Sequence, residues 1–309
     1  MENTRNIERR HIEGDNFVMA QIHFNRIYII ESLQHGDTLT GTNLHNDLLR
    51  FQSLKHPDFK SILRNPKDKK EWNDLFAEIK KDCEGNGNAP IIHFEVHGSS
   101  CKNGLVLTSK ELITWEELYQ SLAPINKILQ NELFITMAVC HGSFFLMSSY
   151  INRQTAFQGI VGSFDEITES DLVIRYDAFY SELFSSFDLN RAYERLAASN
   201  PNMPNTYRCF SAEYVFARCY LEYIKNECSE AALEKRAKET IVEQKMLLNR
   251  HDRRKFIHDF IKTEQKNRDR YFKQDYETYF MLDIYPELKN SIGFKDNIAD
   301  MKRWYNALR

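Results

Sequence analysis

Residues 91–98 read IIHFEVHG, and residues 133–142 read LFITMAVCHG. Each is an apolar run too short for a packed helix, and each ends in a reactive side chain beside a glycine: His97-Gly98 in the first, Cys140-His141-Gly142 in the second. Near-continuous Ile, Leu, Phe and Val over so few residues marks a strand buried on both faces, the pattern of a parallel sheet covered by helices. In such a sheet, ligand and reaction sites gather at the carboxyl ends of the strands. These two strands therefore predict both a fold and a place for chemistry.

The flanking sequence repeats the alternation. Ile27–Ile30 reads as a first buried strand, followed by a loop, GDTLTGT (36–42), and a helical pattern at Leu44, Leu48 and Leu49. Trp72, Leu75, Phe76 and Ile79 form a helical face that closes at Gly85-Asn86-Gly87. Thr114-Trp115-Glu116-Glu117 is a capping box opening a helix through Leu118 and Leu122, which Pro124 should kink or end. Phe144–Tyr150 reads as helix, Gly159–Gly162 as a short strand, and Asp177–Leu196 as one long helix. The expected fold is α/β: a mostly parallel sheet flanked by helices on both faces, with a C-terminal helical extension.

Composition sets the boundaries. Residues 229–309 hold one Gly, one Pro and a surplus of basic over acidic residues, 18 against 14, whereas residues 1–228 hold 23 against 30. The expected division is a loose leader over 1–20, a catalytic-type domain over 21–228 and a charged helical extension over 229–309. The net charge of -3 argues against a dedicated nucleic-acid binder. No apolar run approaches the ~18 residues of a membrane helix, and MENTRNIERR leads into no secretory h-region. Six cysteines without a C-x-x-C pair fit reduced thiols, so a cytoplasmic setting is expected.

A lone Cys in a strand is usually a small core residue, and a lone His at a strand end is often just hydrogen-bonded. The joint pattern is more specific. If the strands are neighbours, His97 can take the proton of Cys140. A helix starting near Ser143 would favour the thiolate, and the N–H groups of Gly98 and Cys140 would be oxyanion donors.

The pattern resembles the caspase-like cysteine peptidases, and within them the bacterial CHAT group. Ala138-Val139-Cys140-His141-Gly142 is similar to the caspase nucleophile signature, with His97 forty-three residues upstream. The resemblance continues through GDTLTGT, through HFEVHGS, GLVLTS and ITWEEL within 93–118, and through VGSFDEI (161–167) and DAFYSELF (177–184), covering most of 25–200. Val139 departs from the usual small residue, and no Gln precedes it.

The resemblance implies a cysteine endopeptidase with His97 as general base and Cys140 as nucleophile, working through a thioester without a cofactor or metal. It implies a protein substrate in bacterial defence or regulated death, such as a gasdermin-like pore former. In this family the S1 pocket is built from the loop after the first strand and the strand after the nucleophile. Here these regions supply Asp37, Ser163, Phe164, Asp165 and Glu166, with no Arg or Lys over 32–49. Acidic groups there favour cleavage after a basic residue. The competing expectation is a catalytically idle module whose 229–309 helices recruit a regulatory protein; intact His97, Gly98, Cys140 and Gly142 favour the enzyme.

Two further clusters invite a different reading. His93-x-Glu95 resembles the H-x-E of zinc deaminases, but no P-C-x-x-C follows. His93, Glu95 and His97 share a strand face, with Cys101, Cys140 and His141 within reach as weaker zinc candidates. Cys209, Cys219 and Cys228 fall in or near an aromatic segment with Tyr214, Phe216, Tyr220 and Tyr223 and read as core.

Overall fold

The computed structural model describes residues 23–308, so the leader expected over 1–20 lies outside the described residues. Among them the chain runs β1 (Arg26–Ser32), α1 (Thr40–Leu44), α2 (Arg50–Gln52), β2 (Lys60–Arg64), α3 (Lys69–Asn86), β3 (Pro90–Gly98), β4 (Gly104–Val106), β5 (Leu112–Thr114), α4 (Trp115–Ile128), β6 (Phe134–Met137), β7 (Gly159–Ser163), α5 (Glu169–Ser186), α6 (Leu189–Ala198), β8 (Tyr207–Ser211), α7 (Ala212–Glu227), α8 (Glu230–Glu243), α9 (Arg250–Tyr279) and α10 (Ile298–Ala307). The sheet order is β2-β1-β3-β6-β7-β8. The first five strands of that order are parallel, β8 pairs β7 antiparallel, and β4–β5 is a hairpin laid against the end of β3. The α/β architecture and the mostly parallel sheet are as the sequence predicts.

The central strands are buried on both faces because they are apolar at nearly every position. Ile27 and Ile29 of β1, Ile91 of β3 and Phe134 of β6 pack in one cluster with Tyr176, Phe179, Tyr180 and Leu183 of α5. Each such side chain taken from water contributes about 2 kcal/mol. The Thr114 hydroxyl accepts the Glu117 N–H at 3.2 Å, and the Glu117 carboxylate accepts the Thr114 N–H at 2.8 Å, so the capping box opens α4 as expected.

Three helical expectations change. Pro124 neither ends nor divides α4, which continues to Ile128. Pro124 and Gln120, whose carbonyl would have accepted the missing N–H, both face solvent, where water can serve that carbonyl. The single helix expected over 177–196 is two. Phe187 turns left-handed at φ +53°, and the Asp188 carboxylate caps α6 by accepting the Asn190 and Arg191 N–H groups at 2.8 and 3.2 Å. The segment after Cys140 is a short 3₁₀ helix over Gly142–Ser148, not an α-helix.

The described residues cluster into two compact units. One holds the sheet and its helices, with Gln154–Ala212 in it; the other comprises Tyr150–Arg153 and Glu213–Ala307. The helical unit thus takes in most of α7, ahead of the compositional break at Ser229. The reason is aromatic: Phe216 of α7 packs on Phe272, Tyr276 and Tyr279 of α9 at ring distances of 5.7, 6.1 and 5.0 Å. Leu233, Ala237 and Ile241 of α8 are buried, as their spacing predicts.

Candidate active site

Register brings the two reactive strand ends level. Phe94 of β3 pairs Met137 of β6, and the Ala138 N–H donates to the Phe94 carbonyl at 2.9 Å. His97 and Cys140 each stand three residues beyond that pair. The backbones then touch. A Cβ added to Gly98 would lie 1.7 Å from the Cys140 carbonyl oxygen and 3.4 Å from the Cys140 Cβ. Any side chain at position 98 would push the Cys140 main chain away, so glycine is required by close approach. Among the described residues the Cys140 N–H meets no protein acceptor, which leaves it free to receive an oxyanion.

The Cys140 thiol is partly exposed. Its sulfur accepts the Ile167 N–H at 3.4 Å and donates to the Ile167 carbonyl at 3.6 Å. Ile167 directly precedes Thr168, the N-cap of α5. The backbone contact to the sulfur thus comes from Ile167, at the foot of α5, and not from the segment starting near Ser143. Nothing in the side chain of Ile167 could have announced it, because the contact is made by main chain.

His97 is exposed, and its Nε2–H donates to Asp37 Oδ2 at 2.7 Å. The same oxygen accepts the Gln34 N–H at 2.6 Å. The bond to His97 is the main cause that holds the Asp37 carboxyl below its ordinary value, so it is ionised at neutral pH. Asp37, expected as a pocket acid, is hydrogen-bonded to His97. Among the described residues this is the ring's one hydrogen bond, so Nδ1 has no hydrogen-bond partner.

A buried framework holds the Asp37 loop. Thr40 donates to Glu95 Oε2 at 2.7 Å, while the Thr42 N–H and hydroxyl donate to the two oxygens of Glu31 at 2.9 and 2.6 Å. Both carboxylates are buried, at 2% and 1% exposure. Gly41 between these threonines has no room for a side chain: a Cβ would meet Glu95 Cγ at 2.8 Å and Ile29 Cγ2 at 2.9 Å.

The other predicted site residues divide. Ser163 is fully buried; its hydroxyl donates to Thr206 at 3.0 Å and accepts the Asp165 N–H at 3.0 Å, so it braces the loop after β7 and meets no open space. His141, left-handed at φ +61°, ties the same loop: its N–H donates to the Asp165 carbonyl at 3.1 Å and its Nδ1–H to the Phe164 carbonyl at 2.8 Å. Glu166 is exposed with one oxygen 3.9 Å from His141 Nε2. Half-buried Phe164 stands edge-on to Phe144 at 5.3 Å, and the Lys102 ammonium lies 5.2 Å from the Phe144 ring. Asp165, Glu166 and the two rings thus gather on the Cys140 side of the sheet edge.

The zinc candidates do not converge. His93 is wholly buried, with Nδ1 against Thr136 at 2.7 Å and Nε2 against Glu95 at 3.0 Å, so both nitrogens are used. Among the described residues no three His, Cys, Asp or Glu side chains are grouped to hold a metal ion. Cys209 is a buried strand residue, and burial pushes the Cys83 and Cys219 thiols up to about 12 and about 11, where they are inert at neutral pH.

No family model matches the chain, and no curated protein matches it. The class rests on fold and site: an α/β protein whose adjacent parallel strands end in a histidine braced by a carboxylate and in a half-exposed cysteine.

Proposed function

We propose that this chain is a cysteine endopeptidase in which Cys140 is the nucleophile and His97 the base. The observation that carries it is the contact between Gly98 and the Cys140 backbone, which supports a shared reaction centre for the two strand ends. His97 Nδ1 takes the thiol proton and the sulfur bonds to the scissile carbonyl carbon. The oxyanion is received by the N–H groups of Gly98 and Cys140. Collapse breaks the C–N bond, and the proton on His97 passes to the leaving amine. Water, giving its proton to His97, then releases the thioester. No step needs a metal, so activity survives EDTA and is lost to iodoacetamide.

The substrate is a protein cut after Arg or Lys. With Asp37 engaged by His97, the charge that reads the cation falls to Asp165 and Glu166, beside the rings of Phe144 and Phe164, which suit the apolar stem of a long basic side chain. The resemblance to CHAT peptidases supports a role in bacterial defence with a dedicated protein target. The test is labelling with a peptidyl acyloxymethyl ketone carrying Arg at P1, then peptide mapping. The expected adduct is on Cys140. An adduct spread over exposed thiols, or none, returns the chain to an idle interaction module.

A further inference from the structure

We infer that Asp37 is a positioning residue that fixes His97 with Nδ1 toward Cys140, making the centre a Cys140–His97–Asp37 triad. This rests on the peptidase reading and goes beyond it, since that chemistry alone requires only a thiol and an imidazole.

The geometry is specific. Asp37 Oδ2 accepts from Nε2 at 2.7 Å, which leaves one tautomer of neutral His97, the one with a lone pair on Nδ1. A carboxylate at that nitrogen also stabilises the imidazolium formed when the thiol gives up its proton. The titratable group bonded to His97 is Asp37, from the loop after β1; the residue across the β4 ladder is Val106, which has none. Glu95, two residues back on β3, is occupied by His93 and Thr40.

The loop is built to hold this aim. Asp37 lies between β1 and α1, and both ends are fixed. At the near end the Gln34 side chain donates to the Leu107 carbonyl at 3.0 Å, and the Asp37 N–H donates to the Gln34 carbonyl at 3.2 Å. At the far end Thr40 and Thr42 are held by the buried carboxylates of Glu95 and Glu31. An exposed carboxylate that merely met solvent would need no such anchoring.

The experiment follows alkylation of Cys140 by iodoacetamide across pH 5–9, read by mass spectrometry on the intact full-length chain, with exposed Cys101 as internal reference. It needs no peptide substrate. In wild type, Cys140 alkylates at pH 6 about tenfold or more faster than Cys101. In Asp37→Asn the pH 6 rate falls about tenfold and the inflection moves up by about one unit, because the imidazolium loses its partner. Asp37→Glu restores most of the rate, and thermal melts of both variants match wild type. If the Asp37→Asn profile superimposes on wild type while Cys140 stays fast, the triad is overturned and the peptidase reading stands. If wild-type Cys140 is no faster than Cys101, both fall. A changed Arg/Lys preference in Asp37→Asn with an unmoved alkylation profile would overturn the triad and return Asp37 to the substrate pocket.

Discussion

Strand β3 carries two histidines on one face, each bonded to a carboxylate, and the two pairs differ in almost everything but chemistry. His93 and Glu95 are sealed in the core, and the imidazole is bonded at both nitrogens. His97 and Asp37 lie in the open, and one ring nitrogen is uncommitted. A buried imidazole bonded at both nitrogens is a structural part, since both of its polar atoms are already spent on the core. The His97 imidazole, braced at one nitrogen, keeps the other without a partner among the described residues. The difference is set by position along the strand: Glu95 and Thr136 flank the first ring, whereas the second lies beyond the last residue paired with β6.

Mutations can break this contrast. The largest expected effect is on chemistry. Cys140→Ala and His97→Ala each lower cleavage by about three orders of magnitude or more, because members of such a unit fail together, while the melting temperature stays at wild type. Equal loss of stability in His97→Ala would erase the distinction between the two pairs.

His93→Ala should show the opposite signature. It takes one buried partner each from Glu95 and Thr136 at a cost of about 3 kcal/mol, measured by urea unfolding of the full chain. Molecules that remain folded keep Cys140 alkylation within a few-fold of wild type. Between these extremes lies Gly98→Ala. The added methyl drives the Cys140 carbonyl aside, and a displacement of about 1 Å at a reaction centre costs about a hundredfold in rate. Wild-type turnover by Gly98→Ala would sever the link drawn between the strand ends.

The smallest effect sharpens the comparison with a carboxylate that has no histidine. Burial lifts Asp275 of α9 from 3.8 to about 6. An acid raised in the fold holds its proton better folded than unfolded, so its stabilising contribution is complete below pH 3.8 and is lost as pH rises through about 6. Asp275→Asn should therefore add about 1 kcal/mol to the helical unit at pH 7.5, after discounting for its partial exposure, and almost nothing at pH 4. Hydrogen exchange on α9 amides reads the change; a gain that is the same at both pH values would contradict it.

Much of this was legible in the sequence. The central strands announce themselves because they are apolar on both faces, and their reactive ends are visible for the same reason. β2 was hidden because its residues, KSILR, are only half-buried at the sheet edge. The Asp188 cap was overlooked inside an apparently unbroken apolar period. At the site, the residue types of His97, Gly98 and Cys140 carried the signal. Asp37 is legible as an acid in the loop after β1, but its hydrogen bond to His97 is not, since charge alone does not say which partner a carboxylate meets. Ser163 is legible as the end of a strand, but its burial and its bond to Thr206 are not. The donor from Ile167 is a backbone group and has no letter in the sequence at all.

The anchoring of the loop between β1 and α1 has a consequence for its inheritance. A strap pinned at both ends has no slack, so its length is as constrained as its chemistry. Thr38 and Leu39, which point outward, are free to vary in kind. A single inserted or deleted residue beside them would leave every side chain of the strap present and move the aspartate off its mark. Variation in this stretch should then accumulate by replacement and almost never by change of length.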